Sequence, residues 1–150
     1  MKPTAKLLWA YASELILAGT LTSLACRFYG LPAITKFITL VAIDAAAYVF
    51  SILLAAALGL IWTIFSKVDS DFYSWLAARG ALSVFLNAFR YVAAIELTAV
   101  TFSILAKYIQ EQSFLIITIF VMLLGAINGI TMVGNIFDLI KLNILYGSKK

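Results

Sequence analysis

Four apolar stretches joined by short polar links constrain this chain more than any other feature in it. They run from Leu7 to Ala25, Phe37 to Phe65, Ala81 to Ala106 and Phe114 to Phe137, the last continuing amphipathically to Tyr146. Each is near or above the roughly 20 residues with which a helix crosses about 30 Å of hydrocarbon. Inside lipid every backbone N–H and C=O has to be satisfied within the protein, which a helix does by itself. The links, Cys26 to Lys36, Ser66 to Gly80 and Lys107 to Ser113, are too short to hold a soluble domain. The expectation is an all-α fold: residues 1–150 form a single integral membrane domain, a four-helix antiparallel bundle of four transmembrane helices. Composition agrees, with 64% hydrophobic and only 12% charged residues, where a soluble domain carries about 25% charged. The first partner implied is the lipid bilayer.

Charge sets the expected orientation. A cytoplasmic N-terminus puts Lys2, Lys6, Lys67, Arg79, Lys141, Lys149 and Lys150 inside, against Arg27, Lys36 and Lys107 outside, which follows the positive-inside bias and leaves both termini cytoplasmic. The formal charge of +4 comes from scattered residues, with no basic block to track a phosphate backbone, so nucleic acid is not an expected partner. Trp9, Phe28, Tyr29, Trp62, Phe72, Trp75, Tyr108 and Tyr146 lie near span ends, where aromatic side chains sit at headgroup level. In the middle link, Phe72, Trp75 and Leu76 fall on one face of a short helix expected to start near Ser70 and lie in the interface.

Several chemistries are excluded by what is missing. A single cysteine, Cys26, allows no intramolecular disulfide or CxxC pair, and there is no histidine. The usual haem ligand, the commonest metal ligand and the commonest general base go with it. No cofactor or metal is expected, and no catalytic residue stands out.

Each span contains or ends with one acidic residue: Glu14, Asp44, Glu96 and Asp138. An ionised side chain near the bilayer centre costs about 2.5–3.5 kcal/mol on the milder scales, so each is expected to face the bundle interior or a partner. At about 1.5 Å per residue, Glu14 and Arg90 reach similar depths from the inner boundary and are the expected ion pair. Asp44 and Glu96 fall together in the outer half with no cation at their level. If they face each other, one holds a proton or the two share a cation, which makes them the candidate proton or cation site. The alternative is that these acids, with Arg90, simply lock helix pairing and subunit assembly.

The fourth span carries Asn128, Thr131, Asn135 and Asp138, spaced 3, 4 and 3 along one helix face. Such a stripe bonds neighbouring helices or lines a wet cavity. Gly125 and Gly129, four apart on the same span, are candidates for close helix packing, and Ala55 and Gly59 repeat the spacing on the second span.

Val133-Gly134-Asn135-Ile136, followed by Phe137 and Lys141, resembles the end of a synaptophysin-type fourth span. The stretch from Leu31-Pro32-Ala33 through Lys36-Phe37 to Tyr48 is similar to the start of a Casparian-type second span. Both, with the four-span outline, resemble the MARVEL-type tetraspans, which include synaptophysin-like, MAL-like and Casparian-strip proteins. The resemblance implies oligomerisation, a scaffolding role and a plasma or vesicle membrane; it names no catalytic residue. The chain departs from it in carrying Glu14 where Casparian-type proteins have an arginine, and Arg90 and Glu96 where they have an aspartate.

The leading expectation is therefore a non-enzymatic tetraspan that assembles with itself, as a homo-oligomer, or with other integral membrane proteins. The alternative is a small transporter, channel or pump subunit working through Asp44 and Glu96. A small membrane enzyme acting on lipid or thiol is a third class, for which the sequence supplies no clustered Arg/Asn/Glu set.

Overall fold

The computed structural model describes the backbone of residues 3–148 and the side chains of residues 9–148. Among the described residues the protein is entirely helical, in five helices: α1 (Pro3–Tyr29), α2 (Leu31–Ser66), α3 (Asp71–Ala78), α4 (Ala81–Leu105) and α5 (Gln112–Gly147). Three of them, α2, α4 and α5, are long and apolar enough to cross a membrane. The first stretch folds as a helix of 27 residues, but its described part is diluted by Glu14 and by Ser13, Thr20, Thr22 and Ser23. The expected four spans are thus seen as three helices long and apolar enough to cross a membrane, one more polar helix and the short α3.

Gly30 and Gly80 stand directly before α2 and α4. Both have positive φ, 78° and 70°, the region that only glycine enters without steric cost. Pro32 in the first turn of α2 loses no hydrogen bond there, because the first N–H groups of a helix have no intrahelical acceptor, and it lets α2 begin at Leu31. At 36 residues α2 is about 54 Å long, well beyond one hydrocarbon thickness.

Within α2, Ala46–Phe50 form a π turn, with the Ser51 hydroxyl donating to the Ala46 carbonyl five residues back at 2.7 Å. The buried residues explain it. Ile34, Ile38, Ala42, Ala46 and Phe50 recur every four positions, and on a regular helix that stripe would rotate by about 40° per step away from its neighbours. One wider turn takes up the extra residue and keeps Phe50 on the packed side.

The helices pack with α4 along α2 and α5, and α5 also along α1. Three buried clusters fill the seams. Ala57, Ile64, Tyr73, Leu76, Leu82, Phe89, Val92, Ala93 and Met132 gather at the end that α3 closes. Phe50, Ala99 and Val121 form the middle, and Ile34, Ile38, Ala42, Ala106, Leu115 and Ile119 the far end. Helix α3, expected from Phe72, Trp75 and Leu76, instead buries Tyr73 and Leu76 against the bundle, with Phe72 and Trp75 half-buried against Tyr146 and Arg79 stacked 4.1 Å above the Trp75 ring. Burial alone pushes the Tyr73 phenol above its usual range.

Glycine sets how closely α5 approaches its neighbours. A Cβ on Gly125 would sit 3.0 Å from the Phe50 ring and 3.3 Å from the Ala99 Cβ, and one on Gly129 would sit 2.8 Å from Leu53. The expected small-residue face of the last span is where α2 and α4 meet it. Lipid tails are as apolar as leucine, so this close van der Waals packing, not water exclusion, holds spans together.

Candidate functional site

The polar side chains inside the bundle fall into two places on α5. The first is the seam between α4 and α5. Gly125 meets Ala99 there and Met132 shares a buried cluster with Val92, so in this antiparallel pair Glu96 stands level with Asn128. Glu96 is 0% exposed and both its carboxylate oxygens lack a hydrogen-bond partner. Asn128, 1% exposed, donates Nδ2 to the Leu124 carbonyl at 3.1 Å and leaves Oδ1 unpartnered. Two turns from Glu96 on its own face, Ser103 is also buried with a free hydroxyl. Such groups cost about 1–3 kcal/mol each when left unmet, more for a charged one.

The second place is the face that α1 turns to α5. Tyr11, Glu14, Ala18 and Thr22 follow one another at helical spacing on the covered side of α1. Glu14 is 7% exposed and its Oε2 has no partner. The Tyr11 and Tyr91 rings stack 4.2 Å apart, both within electrostatic reach of Glu14, and the Tyr91 hydroxyl stands beside the Asn128 side chain without meeting hydrogen-bond geometry. Beside Glu14 a groove of about 750 Å³ opens between α1 and α5, lined by Trp9, Ser13, Leu17, Thr20, Ile127 and Thr131 among others.

The structure rearranges the expected pairings. Glu14 and Arg90 form no ion pair: Tyr91 holds the position on α4 that faces α1, and Arg90, about 100° round the helix, is exposed on the outside. Asp44 and Glu96 are not brought together either. Ala42 packs with Ala106 at the far end, and Glu96 lies ten residues, about 15 Å, along α4 from that level. Asp44 is also exposed, next to the outward-facing Tyr48. Depth counted from Phe37 misjudged it because α2 starts at Leu31 and overhangs α4.

The stripe on α5 divides. Asn128 is buried, Thr131 lines the groove with its hydroxyl donated to the Ile127 carbonyl at 3.2 Å, and Asn135 is half-buried. Asp138 is exposed and paired with Lys141 at 3.7 Å, the one ion pair among the described residues. No group of three acidic, cysteine or histidine side chains there could hold a metal. Sequence reasoning did not single out Tyr11 and Tyr91 as interior residues. For Tyr11 the signal was its spacing to Glu14 and Ala18, one covered stripe of α1; for Tyr91 the sequence carried none.

No protein-family model, no curated protein and no solved structure matches the chain. The likeness to MARVEL-type tetraspans rests on its two short stretches and outline alone.

Proposed function

We propose that this is a four-span membrane protein, α1 included, that works by assembling with another membrane protein chain. Arg90 carries the reading. It lies on an apolar helix, nine residues or about 14 Å from the start of α4, exposed and with no ion-pair partner among the described residues. A cation placed so against lipid costs about 2.5–3.5 kcal/mol unless an acceptor reaches it. A neighbouring span bearing Asp, Glu or a hydrogen-bonding side chain at that depth supplies one. Exposed Asp44 adds a second such point nearer the far end. The fit is to assembly of a scaffold or complex subunit in a plasma or vesicle membrane, with both termini in the cytoplasm.

The test is native mass spectrometry of protein gently extracted from its own membrane. Wild type is expected as a defined homo- or hetero-oligomer, and Arg90→Ala as the single chain. An oligomer that survives Arg90→Ala and Arg90→Gln unchanged removes the reading.

Glu96 favours a second reading, in which a buried acid carries a proton or cation through a transporter or channel subunit. Asp44 has no part in it. Purified protein in liposomes decides: gradient-driven flux lost in Glu96→Gln supports transport, and no flux in wild type leaves assembly.

A further inference from the structure

The groove beside Glu14 combines features that the assembly reading does not use. Its walls are the outward surfaces of α1 and α5, so with α1 in the bilayer it is entered from lipid. Trp9, Ile16, Leu17 and Ile127 give it an apolar lining, and the Thr20 and Thr131 hydroxyls donate to the carbonyls of Ile16 and Ile127, which leaves only their oxygen lone pairs to accept from a ligand. Ser13 is likewise committed to the Ala10 carbonyl. The one charged group left for a ligand is Glu14, more than nine-tenths buried and part of the groove's lining, with no cation paired with it among the described residues; its Oε2 is fully covered and unpartnered, so a head group meets the carboxylate from the groove side. An apolar channel with a single unmet carboxylate complements a molecule with an alkyl body and one cationic head.

We propose that this groove binds a membrane-partitioned primary alkylamine, its ammonium on Glu14 and its chain along Leu17 and Ile127. About 750 Å³ falls within the range of small-molecule pockets, roughly 300–1,000 Å³. A charged donor on a carboxylate in so apolar a setting forms one of the stronger hydrogen bonds available. Neutral amphiphiles of the same length gain the groove walls, which offer little over lipid itself, and a hydrogen bond to the carboxylate that lacks the attraction between opposite charges. The charged head therefore decides selectivity.

The inference takes α1 as a span, from the reading above, and does not need the partner chain. Dodecylamine and dodecanol are compared as probes by native mass spectrometry of the protein in a neutral detergent. Wild type is expected to retain one dodecylamine per chain and no dodecanol, with retention at least tenfold weaker in Glu14→Gln. Ala10→Trp, which fills the groove and leaves the carboxylate, is expected to lose the amine too, and it decides the matter if Glu14→Gln does not fold. The same binding in Arg90→Ala separates this site from assembly. Equal retention of dodecanol, or amine binding that neither variant weakens, overturns the proposal.

Discussion

Glu14 and Glu96 are both buried carboxylates on long helices, yet their surroundings differ in the one respect that decides what an acid can do. Glu96 is sealed in the seam of α4 and α5, 0% exposed, near the Gly125 position where a side chain would meet Phe50 of α2 and Ala99 of α4. Glu14 is nearly as covered but stands on the wall of an open groove. A sealed acid can exchange at most a proton or small ion; an acid at a groove can meet a ligand head. Depth along the helix, the quantity a sequence offers, set Glu14 in the inner half and Glu96 in the outer one, and depth does not tell a sealed acid from one on a groove wall.

The largest effect expected from this difference comes from reversing each charge. Glu96→Lys places an ammonium where no side chain can reach out, and leaving a buried charge uncompensated costs about 3–5 kcal/mol. Glu14→Lys costs less, because its four-carbon stem can carry the head along the groove towards the interface. Unfolding by sodium dodecyl sulfate, followed by circular dichroism, should rank them so. Equal losses would mean that the groove gives Glu14 no way out and that the two acids share one environment.

A smaller effect tests the packing that seals Glu96. Phe50, delivered to the middle seam by the π turn, is 3% exposed. Phe50→Ala would cost about 2 kcal/mol, the cavity part of the usual penalty, since the transfer part falls away in lipid. Gly125→Ala, whose new methyl meets Phe50 and Ala99 rather than a flexible chain end, would cost about 1 kcal/mol from overpacking. The same substitution at Gly129 meets the tip of Leu53, which can turn aside, so it should cost less. If Gly129→Ala proves the worse of the two, the seam does not close at Phe50.

These contrasts show what the sequence could and could not disclose. Apolar length alone marked α2, α4 and α5, and the Gly125 to Gly129 spacing marked the face they share, because both depend on residue type and helical period. Which way Arg90, Asp44 and Tyr91 point depends on rotation about the axis, and an all-round apolar helix carries little moment to fix it. The four-residue recurrence from Ile34 to Phe50 did hold the π turn, in a pattern that a search at 3.6 residues per turn blurs. Glu96 was recognisable as costly; that it lies alone, about 12 Å from the level of Asp44, needed the register that Ala42 and Ala106 set.

The smallest effect belongs to Asp138, an acid with a cation beside it on its own helix. Asp138 and Lys141 face each other at 3.7 Å on the last turns of α5, both largely exposed, at 66% and 72%. Their spacing of three residues is that of a surface helix pair, worth about 0.3–0.5 kcal/mol and screened by salt. Lys141→Ala should therefore shift the unfolding midpoint only within that range, and less at high salt, with dodecylamine retention unchanged. A loss comparable to Phe50→Ala would place Lys141 in a contact with lipid headgroups or a partner chain, and the pair with Asp138 would then be incidental. Because Asp138 has its cation in the same helix and Glu14 has none, comparing Lys141→Ala with Glu14→Gln asks whether an acid without a partner in this fold is held open for something outside it.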